Sequence, residues 1–290
     1  MSKRSRVFLV VEGKNHDQWY YEALCNKSPD LKQAGVTAYT ASSIGRELGE
    51  NLQGKKGVLR VHDRLKELKS LSIGNGTRRK VIMCCVDADH DRTAGKMKRS
   101  KHLTYTQLPD VEAHILNDCS EKELLARTLS TTDTGASDAA RDLGNWRKAY
   151  AVECKDWFVA CHISAHLAIQ GGPNPDTPPP LKQGKLDRQA LSKLLQSIEK
   201  SSGAAAYTAA RKVIEGRIDA LITSRRYTRI LKGKWLASHL ARKLHEYAKK
   251  HGLDSSGNAT SILACAKGML DFQSSWATYF RARVRSVLTP

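Results

Sequence analysis

Short apolar runs alternate with stretches of helical period through the first hundred or so residues. Residues 5–12, SRVFLVVE, are rich in Val, Leu and Phe and too short for a helix, so they predict a buried strand. The following NHDQWYYEALCNK carries Trp19, Tyr20, Leu24 and Cys25 on or near one face of a helix. GVTAYTA, 35–41, reads as a second strand. GVLRVHDRLKELKSL, 57–71, reads as a second helix with Val58, Val61, Leu65 and Leu68 at helical spacing. RRKVIMCCVDAD is the third strand, and KHLTYTQ, ending before Pro109, the fourth. Strands alternating with helices imply an α/β unit with a mostly parallel, helix-covered sheet. Ligands of such sheets sit at the carboxyl ends of the strands. Glu12, the pair Asp87 and Asp89, and then Asp110 and Glu112 all fall at those ends.

From about residue 111 the strand pattern stops. EKELLARTL, 137–170, RQALSKLLQSIEK, AAYTAARKVIEGRIDALI, KWLASHLARKLHEYAKKH, ATSILACAKGML and WATYFRARVRSVL all read as helices, interrupted by one Pro/Gly-rich loop at 171–184. The expected division is an α/β domain over 1–120 and an all-α, basic C-terminal domain over 121–290.

Charge sharpens this picture. The chain has 48 Lys and Arg against 29 Asp and Glu, a net charge of +19. Residues 181–290 hold 21 basic and 7 acidic residues, so +14 of that excess lies there. A one-sided excess of this size points to a polyanionic partner, nucleic acid above all, against the plainer reading of a solvated helical surface. No apolar stretch reaches the roughly 18 residues of a membrane span. The N-terminal basic and apolar residues are followed at once by Glu12, Lys14 and Asp17, so they read as a strand and not a targeting segment. The seven cysteines are odd in number and lack Cys-x-x-Cys spacing, which argues against a zinc ribbon; Cys84 and Cys85 lie in the apolar run as small core residues would, and the expected compartment is cytoplasmic.

Against this positive charge, VDADHD stands out. Hard divalent cations take oxygen ligands, usually a few carboxylates completed by water and substrate phosphate. Alternate residues of an extended segment point the same way. Asp87 and Asp89 can then reach one metal, Asp91 joins if the chain stays extended, and Glu12 approaches from a neighbouring strand. The competing reading is that these aspartates merely cap the next helix. Phosphodiester cleavage needs charge neutralised on a phosphoryl group and a water or hydroxyl activated, both of which magnesium supplies, with manganese an alternative. A nearby lysine adds stabilisation in the transition state.

A strand-ending VEG, a helix, and a later strand ending in DAD together resemble the Toprim domain over about residues 5–120. VEGKNHDQWYY and LPDVEAHIL are similar to motifs of small, stand-alone OLD-type Toprim nucleases, and LKGKWLASHL, 231–240, resembles their C-terminal GK segment. The layout of a Toprim half followed by a helical half resembles the effectors of the PARIS anti-phage system. The resemblance implies Glu12 as a metal ligand or general acid/base, Asp87 and Asp89 as magnesium ligands, and Glu112 as completing the site or binding a second metal. It implies that Lys232 or Lys234 stabilises the transferring phosphoryl group. OLD-type proteins tend to carry an acid four residues after the first Glu. Here that position is His16, with Asp17 one beyond, which leaves a one-metal site or Asp17 reached by a local shift. The resemblance further implies cleavage of nucleic acid, tRNA slightly favoured over DNA, a separate ATPase partner holding the nuclease in check, and a possible homodimer.

Two other signals carry less. GENLQGKK, 49–56, matches a phosphate-loop spacing but has Lys56 where Ser or Thr should hold magnesium, so it reads as a basic loop and the chain is expected to lack its own ATPase. Cys161, His162 and His166 lie among apolar neighbours, as a core helix would place them. The aromatics Trp235, Tyr247, Trp276, Tyr279 and Phe280 read as core rather than base-stacking residues. The rival functions are a non-catalytic nucleic-acid-binding module and a different Toprim enzyme, such as a DNA nickase or RNA maturation nuclease.

Overall fold

The computed structural model describes residues 6–28, 31–32, 34–74, 79–173, 177–182, 184–254 and 257–288. Ser5 and Arg78 of the expected strands, and residues 174–176 and 183 of the expected loop, lie outside them. In chain order the elements are β1 (Arg6–Val11), α1 (Trp19–Asn26), β2 (Gly35–Thr40), α2 (Ala41–Leu48), α3 (Gly54–Glu67), β3 (Ser72–Ile73), β4 (Lys80–Val86), α4 (Asp91–Ala94), β5 (Leu103–Tyr105), α5 (Val111–Asp118), α6 (Glu121–Thr128), α7 (Asp133–Leu143), α8 (Trp146–Glu153), α9 (Lys155–Leu167), β6 (Leu181–Lys182), β7 (Lys185–Leu186), α10 (Arg188–Ser202), α11 (Ala204–Thr223), α12 (Gly233–His251), α13 (Ala259–Lys267) and α14 (Thr278–Leu288).

The chain forms two compact units. One comprises Met1–Asp87, Lys98–Thr106 and Asp271–Pro290; the other comprises Ala88–Met97 and Gln107–Leu270. The expected boundary near residue 120 does not coincide with this division. Helix α5 belongs to the second unit, and α14, from the far end of the chain, belongs to the first. The chain crosses from one unit to the other between Asp87 and Ala88, inside the acidic motif.

The first unit is α/β. Its sheet runs β2-β1-β4, with β1 parallel to both neighbours; β4 also pairs in parallel with β5 and antiparallel with the two-residue β3. The central strands are short and apolar because they are covered: Val7, Leu9, Val11, Val81, Met83 and Cys84 have no exposed surface. Helix α14 packs on α1 and β4, with Tyr21 and Phe280 at 4.8 Å between ring centroids, and Trp276, in the turn just before α14, stacks on Tyr20 at 5.9 Å. Arg283 of α14 donates to the carbonyls of Ser100 (2.7 Å) and Leu103 (2.8 Å), which ties the C-terminal helix to β5.

Two expectations here are corrected. Helix α2 follows β2 without a break, capped by the Thr40 hydroxyl accepting from the Ser43 amide, where the sequence reading had no helix. The phosphate-loop look-alike is not wholly a loop, since Gly54 to Lys56 open α3.

The second unit is helical apart from the small hairpin β6–β7. Helix α9 is its centre: Trp157 to Ser164 are all buried, so the run is apolar all round instead of on one stripe. The continuous helical stretch expected over 137–170 is three helices. Gly144, at φ +52, and the Asn145 side chain, which accepts from Lys148 N–H at 3.0 Å, end α7 and start α8; a further break falls at Cys154. Among the described residues no helix is long and apolar enough to cross a membrane.

Candidate active site

In the first unit the two carboxylates closest to the strand ends come from adjacent parallel strands. The sheet order changes direction at β1: β2 lies on one side of it and β4 on the other. The crevice at such a switch point is where open α/β sheets bind ligands. Glu12 follows the last residue of β1, and Asp87 the last residue of β4. The Asp87 amide donates to Glu12 Oε1 at 2.7 Å, so the Glu12 side chain lies along the end of the neighbouring strand.

Asp17 joins this end of the sheet through an irregular turn. Residues Lys14–Gln18 form a π-helical turn ahead of α1. A π-turn holds one residue more than an α-turn. Asp17 lies inside this turn. Asp17 is buried and its Oδ2 accepts from the amide of Gly13, the residue after Glu12, at 2.7 Å. Tyr21, one turn further on, is fully buried. Burial first, and then the negative charges available at Cys85, Asp87 and Asp17, push its phenol well above its ordinary 10.0.

In the second unit a lysine is buried among carboxylates. Lys232, directly before α12, places Nζ 2.7 Å from Asp89 Oδ1 and 3.8 Å from Asp110 Oδ2. Asp110 caps α5, accepting from the Ala113 amide at 2.7 Å, and the same oxygen accepts from the Gly233 amide at 2.9 Å. One carboxylate oxygen thus binds the starts of two helices. Burial, then the charge of Glu112, raises the Asp110 carboxyl to about 6, while Lys232 and the two amides pull the other way. Glu112 lies in the first turn of α5 and is buried. Of the two lysines read from the GK segment, Lys232 is buried in this cluster and Lys234 is exposed.

The extended geometry expected for the DAD motif is corrected. β4 ends at Val86, and Asp89 has φ +42, the left-handed region that Asp tolerates better than most residues. Its amide donates to the Pro109 carbonyl at 2.7 Å. Asp91 opens the short helix α4, so the chain does not stay extended to it. His162 of the apolar helix is fully buried with its Nε2 3.2 Å from His90 Nδ1, while His166 is exposed. Burial, then His90, holds His162 well below 6.5, as expected of a histidine in the core of this helix. Trp235, Tyr247 and Phe280 are also buried, and Tyr279 is 36% exposed. Among the described residues no group of three or more His, Cys, Asp or Glu is gathered as metal ligands would be.

From the sequence Asp110 reads only as one of the acids after the strands, with no role of its own, and Gly233 does not read as a site residue. Because the folded chain holds the Asp110 proton more tightly than the unfolded chain, stability falls as pH rises from 3.8 to about 6. The loss is about 3 kcal/mol at most, two pKa units at about 1.4 kcal/mol each. Asp110→Asn keeps the capping oxygen and removes this titration. The stability of the wild type relative to D110N, from urea melts, is expected to decline across that window and level off above it.

A scan against protein-family models, a search of curated proteins and a search of solved structures each returned no match for this chain.

Proposed function

We propose that the chain is a metal-dependent phosphodiesterase of the Toprim type that cleaves nucleic acid. One observation carries the reading: Glu12 and Asp87 emerge from adjacent parallel strands at the switch point of the sheet, 2.7 Å apart from carboxylate to amide. The donors fit magnesium or manganese, which are commonly held by one or two carboxylates, with water and substrate phosphate filling the other positions. When bound, such an ion neutralises charge on a phosphoryl group and activates a water.

The chain's own residues do the rest. Glu12 and Asp87 hold the cation, and Glu12 is also the candidate to accept a proton. Asp17 fixes the Gly13 amide and so the course of the chain leaving Glu12. In the second unit Lys232 neutralises and positions Asp89 and Asp110. Its enclosure assigns it to positioning, with Glu112 beside the same helix start. The nucleic-acid substrate is supported by the net charge of +19, most of it in residues 181–290. The preference for tRNA, the anti-phage role, the ATPase partner and the homodimer are supported by the family resemblance alone. The rival reading, a binding module without catalysis, draws on the same charge and differs in having no use for the Glu12–Asp87 arrangement.

Manganese binding to the purified chain, followed by the loss of the free-ion EPR signal, tests the site itself. Wild type is expected to bind, and Glu12→Gln and Asp87→Asn to bind at least about tenfold more weakly. Equal binding by all three proteins refutes this assignment of ligands.

A further inference from the structure

Three side chains of the first unit, none of them part of the proposed metal site, are joined in a line. His62, buried in α3, has Nε2 2.9 Å from the Ser100 hydroxyl and Nδ1 3.0 Å from Asp63 Oδ1. Lys98 donates to the other oxygen of Asp63 at 2.7 Å. Ser100 is half-buried just before β5, and its carbonyl accepts from Arg283 at 2.7 Å, which anchors its backbone to α14.

The neighbours fix the direction of each proton in the line. Hydrogen bonds from Lys98, and then from His62, hold the Asp63 carboxyl below its ordinary 3.8, so it is ionised and only accepts. His62 Nδ1 therefore donates to it, and the neutral ring presents a lone pair at Nε2. Ser100 Oγ accepts from the His102 amide at 3.2 Å and has its own proton to give to that lone pair. A hydroxyl within hydrogen-bond reach of a base, with the base held in the required tautomer by a third group, is the arrangement of nucleophilic catalysis, and it is recognised by geometry and not by chain order.

We infer that Ser100 is the nucleophile of a second hydrolytic site, with His62 as its general base and Asp63 orienting His62, acting on carboxylic esters that carry a negative charge. Ser100 Oγ bonds to the acyl carbon, its proton passes to His62 Nε2, and that proton leaves with the alcohol as the ester C–O bond breaks. Water, deprotonated by the same nitrogen, then releases the acid and restores the hydroxyl, so ester and water become acid and alcohol. The anionic preference follows from charge. Residues 92–109 hold five basic residues and no acid, and Arg99 and Lys101 are exposed on either side of Ser100.

The test incubates the full chain with an alkyl fluorophosphonate. An activated serine hydroxyl attacks this probe at phosphorus with loss of fluoride, and peptide mass spectrometry locates the adduct. One adduct, on Ser100, is expected. It forms at the same rate in magnesium and in EDTA, and does not form in the urea-unfolded chain. Ser100→Ala is expected to abolish it. Asp63→Asn, at a side chain 45% exposed, is expected to keep the fold by circular dichroism and to slow labelling at least about tenfold, because the tautomer of His62 is no longer fixed. Mono-p-nitrophenyl succinate is expected to be hydrolysed with kcat/KM at least about tenfold above that of p-nitrophenyl acetate, with both rates falling to background in Ser100→Ala. No adduct on Ser100, or labelling of Asp63→Asn as fast as wild type, overturns the inference and leaves His62 as a core histidine in a structural network. Hydrolysis of the acetate ester as fast as the succinate overturns the assignment of an anionic substrate.

Discussion

Gly233→Ala is expected to destabilise the chain by about 2–4 kcal/mol in chemical denaturation. Gly233 opens α12, and a Cβ there would fall inside the shells of the Glu112 carbonyl carbon, the Ala113 nitrogen and the Glu112 Cβ. Two of these are backbone atoms, so no flexible side chain can swing away to make room. The approach is close because both helix starts share Asp110 Oδ1, reached by the amides of Ala113 and Gly233. Pushing the helices apart lengthens one of those bonds and disturbs the packing of Trp235, Leu236, Leu240 and Leu244, which α12 buries. Lys234→Ala, one residue on and exposed, is the control and is expected to stay within about 0.5 kcal/mol of wild type. A G233A chain as stable as wild type would mean that the two helix starts do not approach as described.

Lys232→Met is expected to cost about 3–5 kcal/mol at pH 8. The methionine fills much of the same space, so the loss is electrostatic. Asp89 and Asp110 keep their burial, with side chains 14% and 2% exposed, and lose the cation that Lys232 supplies to both. The carboxyl of Asp110, already raised to about 6, rises further when Lys232 no longer opposes the burial and the charge of Glu112. Protonation then relieves the defect, so the cost is expected to shrink toward pH 5. A simple cavity has no such pH dependence, and a pH-independent loss in K232M would count against the ion-pair account.

The sequence carried the strands well where hydrophobic character and length agreed. RVFLVV and KVIMCCV are β-rich apolar runs bounded by charge, and they form the two central, covered strands. The positions of Glu12 and Asp87 directly after these strands were legible for the same reason, since the strand ends were. Alternation gave a wrong geometry for Asp89, because a single left-handed residue, held by the Pro109 carbonyl from far along the chain, ends the extended path. The π-turn that accommodates Asp17 leaves no periodic trace in five residues. The return of α14 to the first unit rests on contacts about 180 residues apart in sequence, Arg283 with Ser100 and Leu103, which no local pattern encodes. The choice of Lys232 over Lys234 depended on which side of a helix start faces Asp110, and spacing alone leaves that open.

The most direct test of the proposed activity is a cleavage assay of the purified chain on tRNA, single-stranded DNA and duplex DNA, with magnesium and with manganese, beside Glu12→Ala and Asp87→Ala. The account predicts metal-dependent cleavage of at least one substrate, reduced roughly 10²–10⁴-fold in both variants while binding of the nucleic acid persists. Cleavage that survives in the Glu12→Ala and Asp87→Ala chains, or tight binding with no cleavage of any substrate under either metal, would contradict it.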